Sequence, residues 1–154
     1  MQLAPIVKTI PFSWVDGPGN RFVIFTQGCN FNCIACHNPQ TIPLHSVKAC
    51  DRNVAEILEE IRSALPYISG VTISGGEATL HSDFILELFG KMHDDPALET
   101  LTRFIDSNGN ATVDQQGVLK SLAQTSPSLV PKVAAQQQQM SIESMKANLE
   151  KASM

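Results

Sequence analysis

Two hydrophobic periods alternate along the first two thirds of the chain. Residues 5–12 (PIVKTIPF) alternate loosely between Pro5 and Pro11 and predict a short edge strand. A run of turn formers, Val15-Asp16-Gly17-Pro18-Gly19, follows. Arg21–Gln27 is almost continuously apolar, as expected of a strand buried on both faces of a parallel sheet. After a loop-like stretch over 37–52, Asn53 is a plausible cap for a helix carrying Val54, Ile57, Leu58, Ile61 and Leu65, closed by Pro66. Gly70–Ser74 predicts a second buried strand. Ser82 then caps a helix with Phe84, Ile85, Leu88, Phe89 and Met92, ended at Asp94-Asp95-Pro96. Leu101–Ile105 predicts a third strand, and Val113–Leu122 a short helix.

Strand, loop and helix thus recur three times, which predicts an α/β fold with a parallel sheet. Three units are too few to close an eight-unit barrel. From about Gln124 the alternation stops. Pro127, Pro131 and the run Gln136–Gln139 resemble linker, and only Ile142, Met145 and Leu149 share a helical face. Residues 124–154 are expected to be a poorly ordered tail on a core of residues 1–123.

Chemistry-bearing residues gather at the C-terminal ends of the predicted strands. The first strand runs into Cys29, Cys33 and Cys36, three thiols within eight residues. Such spacing suits an iron–sulfur cluster with one iron left open. Zinc completed by Cys50, His37 or His45 is the alternative, and Cys33 with Cys36 alone would match a redox pair. The second strand ends in Gly75-Gly76-Glu77. Here the missing Cβ atoms would admit a ligand, and the carboxylate would suit an ammonium group. The third ends in Asp106-Ser107-Asn108-Gly109, by itself an ordinary turn sequence. His81 and His93, near helix ends, are expected to be solvated. Each short motif is weak alone, but all three face one rim.

Charge and composition narrow the setting. A net charge of −4 without a basic run argues against nucleic acid. No stretch of eighteen apolar residues and no signal-peptide pattern occur, so a soluble cytoplasmic protein without a membrane is expected. In a reducing compartment, clustered cysteines more often ligate metal than pair as disulfides.

Taken in order, Asp16-Gly17-Pro18-Gly19-x-Arg21-Phe22, Gln27-Gly28-Cys29, Cys36-His37-Asn38, Ser74-Gly75-Gly76-Glu77-Ala78 and Asp106-Ser107-Asn108-Gly109 resemble the radical S-adenosylmethionine superfamily. Within it they look like glycyl-radical enzyme activating proteins, closest to the YjjW-type members, over roughly residues 5–120. The resemblance implies a partial (βα) barrel in which Cys29, Cys33 and Cys36 hold a [4Fe–4S] cluster. Its fourth iron would take the amino and carboxylate groups of S-adenosylmethionine. Gly75, Gly76 and Glu77 would receive that amino group, Ala35 and His37 would lie along the adenine, and Asp106, Ser107 and Asn108 would complete the cofactor-binding set. A 5′-deoxyadenosyl radical would then install a glycyl radical on a partner enzyme, with a flavodoxin- or ferredoxin-type protein supplying the electron.

Several positions depart from that pattern. Ala35 stands where an aromatic residue is common. Residues 40–52 hold only Cys50, too little for auxiliary clusters. An Asp-Leu-Lys motif on a fourth strand is absent, and the resemblance stops near residue 122. A truncated, inactive form would have these features. The alternative function is a non-enzymatic zinc or iron–sulfur module in which Cys50 completes a Cys₄ site.

Overall fold

The computed structural model describes residues 2–109. It contains one mixed sheet of five strands, β1 (Leu3–Ser13), β2 (Arg21–Thr26), β3 (Cys50–Asn53), β4 (Gly70–Gly75) and β5 (Thr102–Ile105), in the order β3-β1-β2-β4-β5. β2, β4 and β5 are parallel neighbours, as the strand–helix–strand succession predicts. The crossovers carry helix α1 (Val54–Ala64) from β3 to β4 and helix α2 (Ser82–Asp94) from β4 to β5. Among the described residues the sheet is open, with β3 and β5 at its two edges. The predicted helix over 113–122, the tail and the 123/124 boundary lie outside the described residues.

Two expectations are corrected at the sheet's antiparallel side. The strand over 5–12 is longer and is not an edge, since β1 pairs antiparallel with both β2 and β3. Its proline at 11 falls where the register with β2 shifts between Ile10 and Ser13, a place that tolerates a missing N–H. The edge is β3, inside the stretch expected to be loop. Its sequence, Cys-Asp-Arg-Asn, carries no apolar alternation to announce a strand. The open backbone groups of β1 at Leu3–Ile6 supply the reason it forms.

Local caps explain the helix starts. Asn53 accepts the N–H of Glu56 at 3.1 Å while the Glu56 carboxylate accepts the N–H of Asn53 at 3.3 Å, a reciprocal capping box. Ser82 is the first helical residue of α2, and His81 takes the cap position without a side-chain capping bond. The single-turn helix Ala78–His81, directly before α2, begins instead from Glu77.

Alternation gives the parallel strands two different faces. Phe22, Ile24, Val71 and Ile73 pack against Ile57, Ile61, Phe84, Leu88 and Phe89 of the helices in one buried core. On the other face, in register across the sheet, lie Arg21, Val23 and Phe25, then Thr72 and Ser74, then Thr102 and Phe104. Arg21 is fully buried at the base of this face. It donates to Thr72 Oγ1 (2.6 Å), Val71 O (2.7 Å), Thr102 Oγ1 (2.8 Å), Thr102 O (3.0 Å) and Pro18 O (3.2 Å). Its guanidinium also sits 4.1 Å from the Phe104 ring centre. One cation therefore ties three strands and the 14–20 turn together beneath the rim. The turn adds its own tie, because Thr72 Oγ1 donates to Asp16 O at 2.8 Å. Arg21→Met keeps the bulk but leaves these acceptors without a donor. It should lower the unfolding free energy by about 3 kcal/mol or more, read from urea midpoints. A loss below about 1 kcal/mol would contradict the role assigned to Arg21.

Candidate metal centre

β2 delivers the cysteine loop to the rim, and backbone bonds close the loop at its neck. Gly28 N–H donates to Thr41 O at 2.8 Å and Cys29 N–H to Ile42 O at 3.0 Å. Thr41 folds back on the loop, its hydroxyl donating to Asn38 O at 2.7 Å. Between these ends, Cys36 N–H donates to Cys33 O at 3.3 Å, closing a turn between the second and third cysteines. Cys29 and Cys36 are half-buried and Cys33 is exposed, as are Ala35 and His37.

The two glycines after β4 serve this loop in a way the sequence does not reveal. A Cβ on Gly75, whose φ is +117°, would lie 2.3 Å from Thr26 O. One on Gly76 would lie 2.0 Å from Gly28 O. The space expected to admit a ligand is thus filled first by the chain's own backbone. Gly76 N–H donates to Thr26 O at 3.1 Å and Glu77 N–H to Gly28 O at 2.8 Å, which locks β4's end onto the start of the cysteine loop.

Glu77 is 1% exposed, and its carboxylate is held by three donors. Oε1 accepts the Thr79 hydroxyl at 2.5 Å and the Thr79 N–H at 3.1 Å; Oε2 accepts Asn108 N–H at 2.7 Å. Asn108 in turn sends its side-chain amide to Asn30 Oδ1 at 2.8 Å, with Cys29 Sγ at 3.9 Å from the same nitrogen. One residue of the third motif therefore touches both others. The expected convergence on a single rim is present in side-chain contacts.

Comparison with known proteins fits this arrangement. A family described as a 4Fe-4S single cluster domain matches residues 15–122. The chain belongs to that family. A protein of Haemophilus influenzae, provisionally named a glycyl-radical enzyme activating enzyme, is 43% identical over 105 residues, covering 68% of this chain and 38% of the relative. A pyruvate formate-lyase-activating enzyme of Streptococcus mutans is 43% identical over 85 residues, covering 53% of this chain and 32% of the relative. One from Staphylococcus aureus is 43% identical over 82 residues, covering 51% and 32%. The chain thus spans about a third of the length of the curated relatives it matches.

The donor set suits the single cluster of this family. Among the described residues no three His, Cys, Asp or Glu side chains are gathered as ligands of one ion. Zinc would need such a gathering, whereas a cubane takes each thiolate on a different iron. Cys50 lies on edge strand β3 opposite Ile6, and neither it nor His37 nor His45 joins the loop cysteines as a single-ion site. An amide beside Cys29 Sγ is the kind of outer-shell donor that tunes an iron–sulfur centre. Of the remaining expected residues, Ser107 accepts Gly109 N–H at 3.1 Å within its own turn.

Three contributors were not legible in advance. His81, expected to be solvated, bonds through Nε2 to Gln27 O at 2.8 Å and so braces the start of the loop. Thr41 closes the neck and Thr79 holds Glu77, yet nothing in the spacing marks either residue. Only their places at strand and loop ends hint at a role.

Asp106 sits at the end of β5, its N–H donating to Ile73 O at 2.9 Å. Burial pushes its carboxyl above the usual range despite a hydrogen bond from Ser74; Asp16 and Glu77 add to the rise, and Arg21 opposes it. The folded chain then binds more protons than the unfolded one between the two pKa values, so this group's contribution falls as pH rises. That contribution is whole below the ordinary value of about 3.9 and gone above the raised one. Glu87 and Asp95, held low chiefly by hydrogen bonds from Lys91 and Arg62, tilt the profile the opposite way. The informative quantity is therefore a difference. Relative to the parent, Asp106→Asn should gain stability as pH rises through this window, measured by urea unfolding at a series of pH values. A constant offset between the two would contradict the shift.

Proposed function

We propose that this chain carries the cluster and cosubstrate site of a glycyl-radical enzyme activase of the radical S-adenosylmethionine type. The observation that supports it best is Asn108, which bonds to Glu77 and lies against Cys29, so that the cysteine, Gly-Gly-Glu and Asp-Ser-Asn-Gly motifs form one unit. The names of the relatives supply the reaction class.

In this reading Cys29, Cys33 and Cys36 hold three irons of a [4Fe–4S] cluster, and the fourth stays open to the methionyl amino and carboxylate groups of S-adenosylmethionine. When bound, cluster and cosubstrate supply one-electron cleavage of the sulfonium and a 5′-deoxyadenosyl radical that takes hydrogen from a glycine of the partner enzyme. The chain's own residues have positional tasks. The loop neck at Gly28–Thr41 and Cys29–Ile42 holds the first thiol at the strand end. The buried Glu77 fixes the height of the Asp106–Asn108 turn against the loop. Its side chain is already engaged by Thr79 and Asn108, so the backbone around Gly75–Glu77 is the part left to meet the cosubstrate's amino group. Ala35 and His37, both exposed on the loop, flank the third cysteine and would border the adenine.

The partners would be a glycyl-radical enzyme as protein substrate and a flavodoxin- or ferredoxin-type donor, in the cytoplasm. Among the described residues no helix is long and apolar enough to cross a membrane. Electron paramagnetic resonance of the anaerobically reconstituted, reduced chain tests the proposal. A [4Fe–4S]⁺ signal whose shape changes on adding S-adenosylmethionine is the expected result. A signal indifferent to the cosubstrate would contradict it.

A further inference from the structure

At the foot of the sheet, opposite the cysteine rim, the turn from β1 to β2 lies beside the stretch that leads into β4. Residues 9–20 carry one charged side chain, Asp16, and residues 63–76 carry none, in a chain with 11 basic and 15 acidic residues. Asp16 is itself engaged, accepting the Ser13 hydroxyl. On this nearly charge-free ground Val15 is 90% exposed, Trp14 77%, Tyr67 66% and Phe12 47%. Ser13, between Phe12 and Trp14, is buried, so both rings lie on the outward side of the strand end. The Phe12 ring meets Tyr67 edge-on, with ring centres 5.7 Å apart. Asn20 Nδ2 donates to Tyr67 O at 2.5 Å and Ser69 N–H to Asn20 O at 2.8 Å, which fixes the two segments to each other. The aromatic face is therefore preformed and loses little freedom when covered.

We infer that this face joins two copies of the chain in a two-fold dimer. Large aromatic side chains carry about 150–250 Å² each, so the exposed parts of Trp14, Tyr67 and Phe12 leave about 400 Å² open, and Val15 with Pro11 and Pro66 raises this to about 600 Å². That is the upper end of what a monomer exposes in one patch. Two such faces laid together cover about 1,200 Å², which reaches the size of a specific interface. Charge selects the occupant. A strongly acidic or basic partner would find no opposite charge here, whereas a second copy brings the same neutral, aromatic face. The net charge of −4 opposes contact between copies in general, but the facing segments here bring only Asp16 from each. The cysteine rim lies at the other end of the strands, so the dimer leaves it open. The inference does not depend on the activase reading.

The test uses the full-length, cluster-free chain with its thiols kept reduced, over about 1–500 μM. Sedimentation equilibrium should give a monomer–dimer equilibrium with Kd of about 10⁻⁵ M, as befits the lower size limit of a specific interface. Trp14 is the chain's single tryptophan, so its emission should shift to the blue over the same concentration range. Val15→Glu, which sets two carboxylates face to face, and Trp14→Ser should each weaken the dimer about tenfold or more. Both positions are largely exposed, so the melting temperature of the monomer should be unchanged. If Trp14→Ser does not fold, Val15→Glu decides. Ile34→Glu, on the cysteine loop, should associate like the parent. A chain that stays monomeric throughout would overturn the inference, whether Trp14 emits as exposed or is covered by residues 110–154 of its own chain. Assemblies larger than two, a dimer indifferent to Val15→Glu, or one lost with Ile34→Glu would overturn it equally.

Discussion

A buried carboxylate organises the rim of this protein. Glu77 stands at the end of the central parallel strand, almost wholly buried, and it needs donors from its surroundings. It finds one set in Thr79, the residue that starts the next turn, and another in the backbone of Asn108 on the neighbouring strand end. Removing either set would leave one buried carboxylate oxygen without its donors, at a cost of about 1–3 kcal/mol. The carboxylate is therefore a constraint on where the third strand's turn can lie. Through the Asn108 amide that constraint reaches Asn30 and Cys29 in the cysteine loop.

The approach of β4's end to β2 permits this arrangement, and two glycines permit the approach. Backbone oxygens of Thr26 and Gly28 occupy the places where side-chain Cβ atoms would stand. Beneath them Arg21 performs the corresponding task, joining β2, β4 and β5 from the buried base of the same face. The parallel strands are thus held at both ends by charged side chains, while the apolar core between sheet and helices supplies most of the burial. Apolar packing lies on the helix side of the sheet, and the hydrogen-bonded ties lie on the other.

Much of this was legible in the chain because the strand and helix periods are strong. Phe22–Phe25, Val71–Ile73 and the spaced apolar residues of α1 and α2 announce themselves, and the three strand-end motifs follow from their positions. What could not be read depends on partners distant in sequence. β3 is four polar residues that become a strand only because β1 offers open hydrogen bonds. His81 looks like any histidine at a helix start until Gln27 O is found beside it. The Gly-Gly pair signals a close approach, but the spacing does not disclose that backbone makes the approach first. The cysteines were the easiest to find, since their spacing is itself the chemistry.

The central claim is that Cys29, Cys33 and Cys36 form a site for one iron–sulfur cluster, complete without the fourth cysteine. Iron and acid-labile sulfide analysis after anaerobic reconstitution tests it most directly, on the parent and on single Cys→Ser variants. The account predicts about four irons and four sulfides per chain in the parent and in Cys50→Ser, with the cluster lost in Cys29→Ser, Cys33→Ser and Cys36→Ser. Zinc in place of iron, or loss of metal in Cys50→Ser, would contradict it.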